Sequence, residues 1–151
     1  MTGIEMQSQM MRGMNSLTER LGRRRGNATH LETGERGEQE AFFHLRKLDY
    51  IIVARRWKSP KLWGDIDLIA WDGECLCFVE VKTRSRRDAI SAESAVDRDK
   101  REMLQKMARA YLRSFPQKLR DEIQVRFDVI SVYLLPTGAE FDLYRSAFGW
   151  S

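Results

Sequence analysis

Three acids and a lysine stand in two neighbouring apolar segments: Asp65 and Asp67 in residues 64–71, and Glu80 and Lys82 in residues 74–83. Both segments are rich in β-formers and read as strands. The Asp72-Gly73 pair between them predicts a two-residue hairpin loop, since a type I′ turn needs positive φ at both central positions. In that register Trp71 pairs with Glu74, Asp67 faces Phe78 and Asp65 faces Glu80. Alternation then puts Asp65, Asp67, Glu80 and Lys82 on one face, with Ile66, Leu68, Cys75, Cys77, Val79 and Val81 on the other as core. Asp67 and Glu80 become diagonal neighbours, with Cβ atoms about 7–8 Å apart or slightly less. Two carboxylates at that reach can share one hard cation through oxygens at about 2.0–2.6 Å, whereas without a cation they repel. The plainer reading is an acidic face turned to solvent. It accounts for the acids and leaves Lys82 unexplained.

Metal-assisted hydrolysis of a phosphodiester has a use for each of these groups. Mg²⁺ or Mn²⁺ on Asp67 and Glu80, with the Val81 carbonyl as a further ligand, would activate a water and polarise the phosphoryl group. Lys82 would orient that water or stabilise the developing negative charge.

The elements that must position these groups follow from periodicity. A helix is predicted over residues 34–48, N-capped by Thr33, with Ala41, Phe42, Leu45 and Leu48 as its apolar stripe. Glu38 lies three residues before Ala41 and seven before Leu45, on the buried side of that helix or at its edge. A carboxylate there is costly unless paired or bound, but a first-turn acid is also favoured by the helix dipole. Both readings stand on this evidence from spacing. A strand is predicted over residues 50–57 and a loop over 58–64. A helix follows over 97–114, with Leu104, Met107, Ala108 and Tyr111 inward and Pro116 beyond its end. Strands over 125–134 and 139–146 flank a turn at Pro136-Thr137-Gly138. The order αβββαββ predicts an α/β fold, a central mixed β-sheet flanked by helices. Residues 1–32, with the run Arg23-Arg24-Arg25 and room for a short helix at 16–21, read as a flexible basic arm, and residues 33–151 as one folded domain.

Composition is compatible with this reading but does not select it. The 151 residues are 42% hydrophobic and 32% charged, with a net charge of +4. That balance permits nucleic acid as a partner without requiring it. No segment is long and apolar enough to span a bilayer, and no leader is evident, so a cytoplasmic location without membrane attachment is expected. Cys75 and Cys77 read as small buried hydrophobes. His30 and His44 lack ligand spacing to them, so no zinc site is expected.

Asp67, followed by Glu80-Val81-Lys82, resembles the D…(D/E)XK signature of the PD-(D/E)XK nuclease superfamily. The surrounding words resemble a narrower group, the YraN-like family of bacterial proteins, predicted endonucleases distantly similar to archaeal Holliday-junction resolvases. The matching stretches are Gly34-Glu35-Arg36-Gly37-Glu38 with Ala41, Gly64-Asp65-Ile66-Asp67-Leu68-Ile69-Ala70, Phe78-Val79-Glu80-Val81-Lys82-Thr83-Arg84, Lys100, and Arg126-Phe127-Asp128-Val129. The resemblance implies a restriction-endonuclease-like core. It makes Asp67 and Glu80 the metal-binding acids, Lys82 the catalytic lysine and Glu38 the helix acid that completes the site. Arg36, Arg84 and Lys100 become phosphate contacts. The implied activity is Mg²⁺-dependent cleavage of DNA, branched or damaged DNA included, and related resolvases cut as dimers, which makes a homodimer an expectation. The alternative is a non-catalytic nucleic-acid-binding or assembly module that keeps the nuclease fold. An RNA-processing nuclease is a third reading, for which no aromatic platform speaks. The chain departs from the family pattern at Asp49, where Gly is usual, at Arg56, where Asn is common, and at Asp65, where Glu is commoner.

Overall fold

Two apolar faces of one sheet, each covered by a helix, organise the fold. The structure is a computed structural model describing residues 28–87 and 96–151. The basic run at 23–25 and the suggested helix at 16–21 lie outside the described residues. The elements are α1 (Ala28–Lys47), β1 (Ile51–Trp57), β2 (Ile66–Asp72), β3 (Cys75–Arg84), α2 (Arg98–Leu112), α3 (Gln117–Arg120), β4 (Gln124–Leu135) and β5 (Gly138–Phe148). The strands lie in sequence order, antiparallel except for β3 and β4, which run parallel. A parallel pair needs a crossover connection, and α2 lies in it. This is the α/β mixed sheet flanked by helices that the periodicity predicts, with the short α3 as an addition.

On one face Ala41, Phe42 and Leu45 of α1 pack over Leu68, Ala70, Cys77, Val79, Val81, Ile130 and Val132. On the other, Leu104, Met107 and Ala108 of α2 pack over Ile69, Leu76, Phe78, Phe127 and Val129. The central strands are therefore covered on both sides, which is why β3 and β4 are nearly continuous apolar runs. Among the described residues no helix is long and apolar enough to cross a membrane.

Three sequence expectations are corrected here. Helix α1 begins at Ala28, so Thr33 lies inside it and is not its N-cap. Threonine favours the N-cap position, but here the helix has already run for five residues before it. Leu48 falls beyond the helix end and is exposed. In the hairpin, Asp72 pairs with Cys75, so the loop is Gly73-Glu74. Gly73 has φ +58 while Glu74 is not among the positive-φ residues, as expected for a loop with glycine at the first central position. Every partner thus shifts by two residues from the predicted register. A shift of two preserves the face of each side chain.

Alternation does fail within β2. Ile66 packs in the α2-side cluster, whereas Leu68, two residues on, packs on the α1 side. The strand breaks its period between them, at Asp67.

Candidate active site

The β2–β3 ladder ends at Leu68↔Val79. Asp67 and Glu80 are the next residues on the two strands, and there the backbone bonding changes. The N–H of Val81 donates to Asp67 Oδ2 at 2.8 Å. The carboxylate thus takes a backbone-bonding place just past the end of the β2–β3 ladder, and is held there although the chain around it is apolar. Asp67 is 8% exposed and Glu80 4%. Burial, and then the charge of Glu80, push the Asp67 carboxyl up to about 8, against the opposing effect of the Val81 N–H. Desolvation and a like charge both disfavour ionisation.

Glu80 Oε1 pairs with two amines, Lys82 Nζ at 3.3 Å and Lys100 Nζ at 3.4 Å. Lys100 comes from the first turn of α2, whose N-cap is Asp97 accepting from the Lys100 backbone N–H. The expected phosphate contact on α2 thus leans onto the acid cluster. Glu80 Oε2 is buried and has no hydrogen-bond partner among the described residues.

The third acid arrives from α1. Gly37 is buried, and a Cβ there would lie 1.8 Å from Thr83 Oγ1. Only glycine lets the helix approach β3 this closely, and the next residue is Glu38. A cleft of about 320 Å³ results, lined by His30, Thr33, Gly34, Glu38, Asp67, Glu80, Val81, Lys82 and Thr83. All four residues singled out for catalysis therefore meet at one place, and Val81 lines it with them. Arg36 and Arg84 do not line this cleft. Arg36 is exposed on α1 and Arg84 is half-buried at the end of β3. Asp65, placed on the same face by alternation, is not among the lining residues either.

Arg56 is a participant that sequence reasoning missed. Its Nε donates to Glu38 Oε2 at 2.6 Å, and its Nη1 lies 3.4 Å from Glu35 Oε1. The available signal was the departure from Asn at this position. Asp49 and Arg56, two positions where the chain departs from the family pattern, both have positive φ, +66 and +45. Glycine and asparagine adopt that backbone more readily than most other residues.

The fit of a divalent cation can be judged from these atoms. Among the described residues no three His, Cys, Asp or Glu side chains lie close enough together to hold an ion as they stand. Glu38 is held by Arg56, and Glu80 Oε1 by the lysines. Against this, Glu80 has an orphaned buried oxygen and its neighbour Asp67 is held in an unfavourable environment for its charge. Both defects are of the kind a hard cation relieves. Asp67 and Glu80 fit such an ion, and Val81 borders it.

A family model described as "Uncharacterised protein family UPF0102" matches residues 37–132. A UPF0102 protein of Koribacter versatilis is 46% identical over 119 residues, covering 79% of this chain and 80% of its own. One from Solibacter usitatus is 42% identical over 130 residues, covering 86% and 93%. One from Syntrophus aciditrophicus is 36% identical over 119 residues, covering 79% and 90%. The matched region begins at the glycine that seats α1 on β3 and runs through both strand acids and the lysine. This chain is a member of the UPF0102 family, the YraN-like group that its motifs resemble.

Proposed function

We propose that this protein is a divalent-metal-dependent endonuclease that hydrolyses DNA phosphodiester bonds. The observation that carries this reading is the buried Glu80 Oε2, without a hydrogen-bond partner among the described residues, in one cleft with Asp67 and with two amines within 3.4 Å of the other Glu80 oxygen. A carboxylate pair buried for stability would have its lone pairs filled by donors. This one is arranged instead for a positively charged guest. Mg²⁺ or Mn²⁺ bound there would lower the pKa of an attacking water and polarise the phosphoryl group.

The chain's own residues supply the rest. Asp67 and Glu80 would hold the ion. Lys82, on the strand and a third exposed, would orient the water or meet the charge that develops on the phosphoryl oxygens. Lys100 lies beside it with similar exposure and would serve as a second cationic contact for the phosphate. Exposed Arg36 and Arg86 provide further positive charge for a polyanion, and such contacts favour nucleic acid without sequence preference.

One observation favours the alternative of a binding module without turnover: Glu38, the third acid, is engaged by Arg56. Cleavage of supercoiled plasmid and of a four-way junction with Mg²⁺ or Mn²⁺ separates the two. Wild type is expected to cut, and Glu80→Ala and Lys82→Ala to lose about 100-fold or more in rate while still binding DNA. Binding without cutting in either metal would reject the nuclease reading in favour of the module.

A further inference from the structure

The cleft contains three acids and, beside them, three cations of the chain itself. Lys82 and Lys100 share Glu80, and Arg56 takes Glu38. The two arrangements differ in kind. The lysines pair at 3.3 and 3.4 Å, distances that leave Glu80 Oε2 open. Arg56 makes a short, charge-assisted bond at 2.6 Å, and Glu35 bears on the same guanidinium from one helical turn away. Arginine keeps its charge at any working pH. A cation approaching Glu38 would therefore meet a fixed positive charge.

The backbone at Arg56 points the same way. Its φ of +45 is one that most side chains avoid, and it is kept at the residue whose guanidinium reaches α1 from the end of β1. Glu38 lines the same cleft as Asp67 and Glu80. It is thus near enough to join the strand acids electrostatically, yet it is spoken for.

The geometry points to Arg56 as a built-in counter-cation that keeps Glu38 out of the metal's ligand set, so that the cleft takes one divalent ion on Asp67 and Glu80 and gains a third carboxylate ligand only when the guanidinium is removed. This rests on the cleft being a cation site. It adds a positioning residue that sets metal affinity and is specific to what stands at position 56 in this chain.

The test is Mn²⁺ binding to the full chain without nucleic acid, followed by loss of the free-ion electron paramagnetic resonance signal. Arg56→Asn removes the charge and suits the positive φ, so the fold is not put at risk, and Arg56→Gln removes the charge without that benefit. Both are expected to tighten Mn²⁺ binding by about tenfold, and the gain is expected to vanish when Glu38→Gln is added. An affinity unchanged or weakened in both Arg56 variants overturns the inference, as does a gain that survives without Glu38. Binding that needs Glu80 but ignores Arg56 removes this inference and leaves the nuclease reading intact. No Mn²⁺ bound by any of the chains removes the cation site and the inference together.

Discussion

Two buried acids on neighbouring strands of this sheet have opposite surroundings. Asp128, wholly buried on β4, accepts from Arg126 Nε and the Ser146 N–H on Oδ1, and from Arg126 Nη2 and the Tyr50 hydroxyl on Oδ2. Arg126 Nη2 goes on to Asp72 and to the Tyr50 oxygen, and Arg145 donates to that oxygen as well. This network pins the start of β1, the end of β2, and β4 to the irregular stretch of β5, where Ser146 has φ +53. Glu80, on β3, is nearly as buried, yet among the described residues one of its oxygens has no donor. Burial alone does not mark a functional acid. The number of donors around it separates an acid that holds the fold together from one that awaits a ligand.

The largest effect is expected at Asp128. Asp128→Ala leaves the Arg126 guanidinium without its main partner in a half-buried place. It should cost about 3–5 kcal/mol, in the range for breaking a buried charge pair. Urea unfolding would measure this, and a loss below 1 kcal/mol would mean that the network is not structural. A smaller effect is expected at Asp67. Its folded carboxyl titrates at about 8, above the unfolded value of 3.8, so between those values the folded state holds more protons than the unfolded state. Stability of the metal-free protein should be fullest near pH 4 as far as this group is concerned, and should fall as pH rises through 8. The slope should be a fraction of the ~1.4 kcal/mol per pH unit that one full proton would give. Asp67→Asn should flatten this slope and stabilise the metal-free chain at pH 8, where Asp128→Ala destabilises. A wild-type stability that rises between pH 5 and 8, with Asp67→Asn parallel to it, would contradict the assignment. The smallest effect is expected at Asp49, next to Tyr50. Asp49→Gly relieves a φ of +66 and should add up to about 1 kcal/mol of stability with DNA cleavage unchanged. A change in cleavage would show that the two regions are coupled.

Much of the candidate site was legible because period-two alternation survives errors in register. The hairpin loop was predicted one residue too early, and every partner moved by two, but Asp67 and Glu80 still line one cleft. The inward edge position of Glu38 followed from its spacing to Ala41 and Leu45, and the side chain is indeed largely enclosed. What could not be read came from contacts between distant segments. Nothing local announces that Arg56 will meet a carboxylate eighteen residues earlier, or that Lys100 will lean across from another helix onto Glu80. The start of α1 was misread because Thr33 is a residue type that favours the N-cap, whereas the helix runs on through it from Ala28. The contact that requires Gly37, Thr83 on β3, is fixed only when the fold is assembled. Motif resemblance marked Asp128 without saying why, and its hydrogen bonds identify it as a structural acid.

The missing side chain at position 37 sets a depth. Helix and strand meet there with only a hydrogen between backbone and threonine, so Glu38 is presented at one fixed height above the strand acids. Any heavier residue would act as a shim, lifting the helix and widening the mouth of the cleft. The dimensions of this site are therefore governed from a position that carries no functional group of its own.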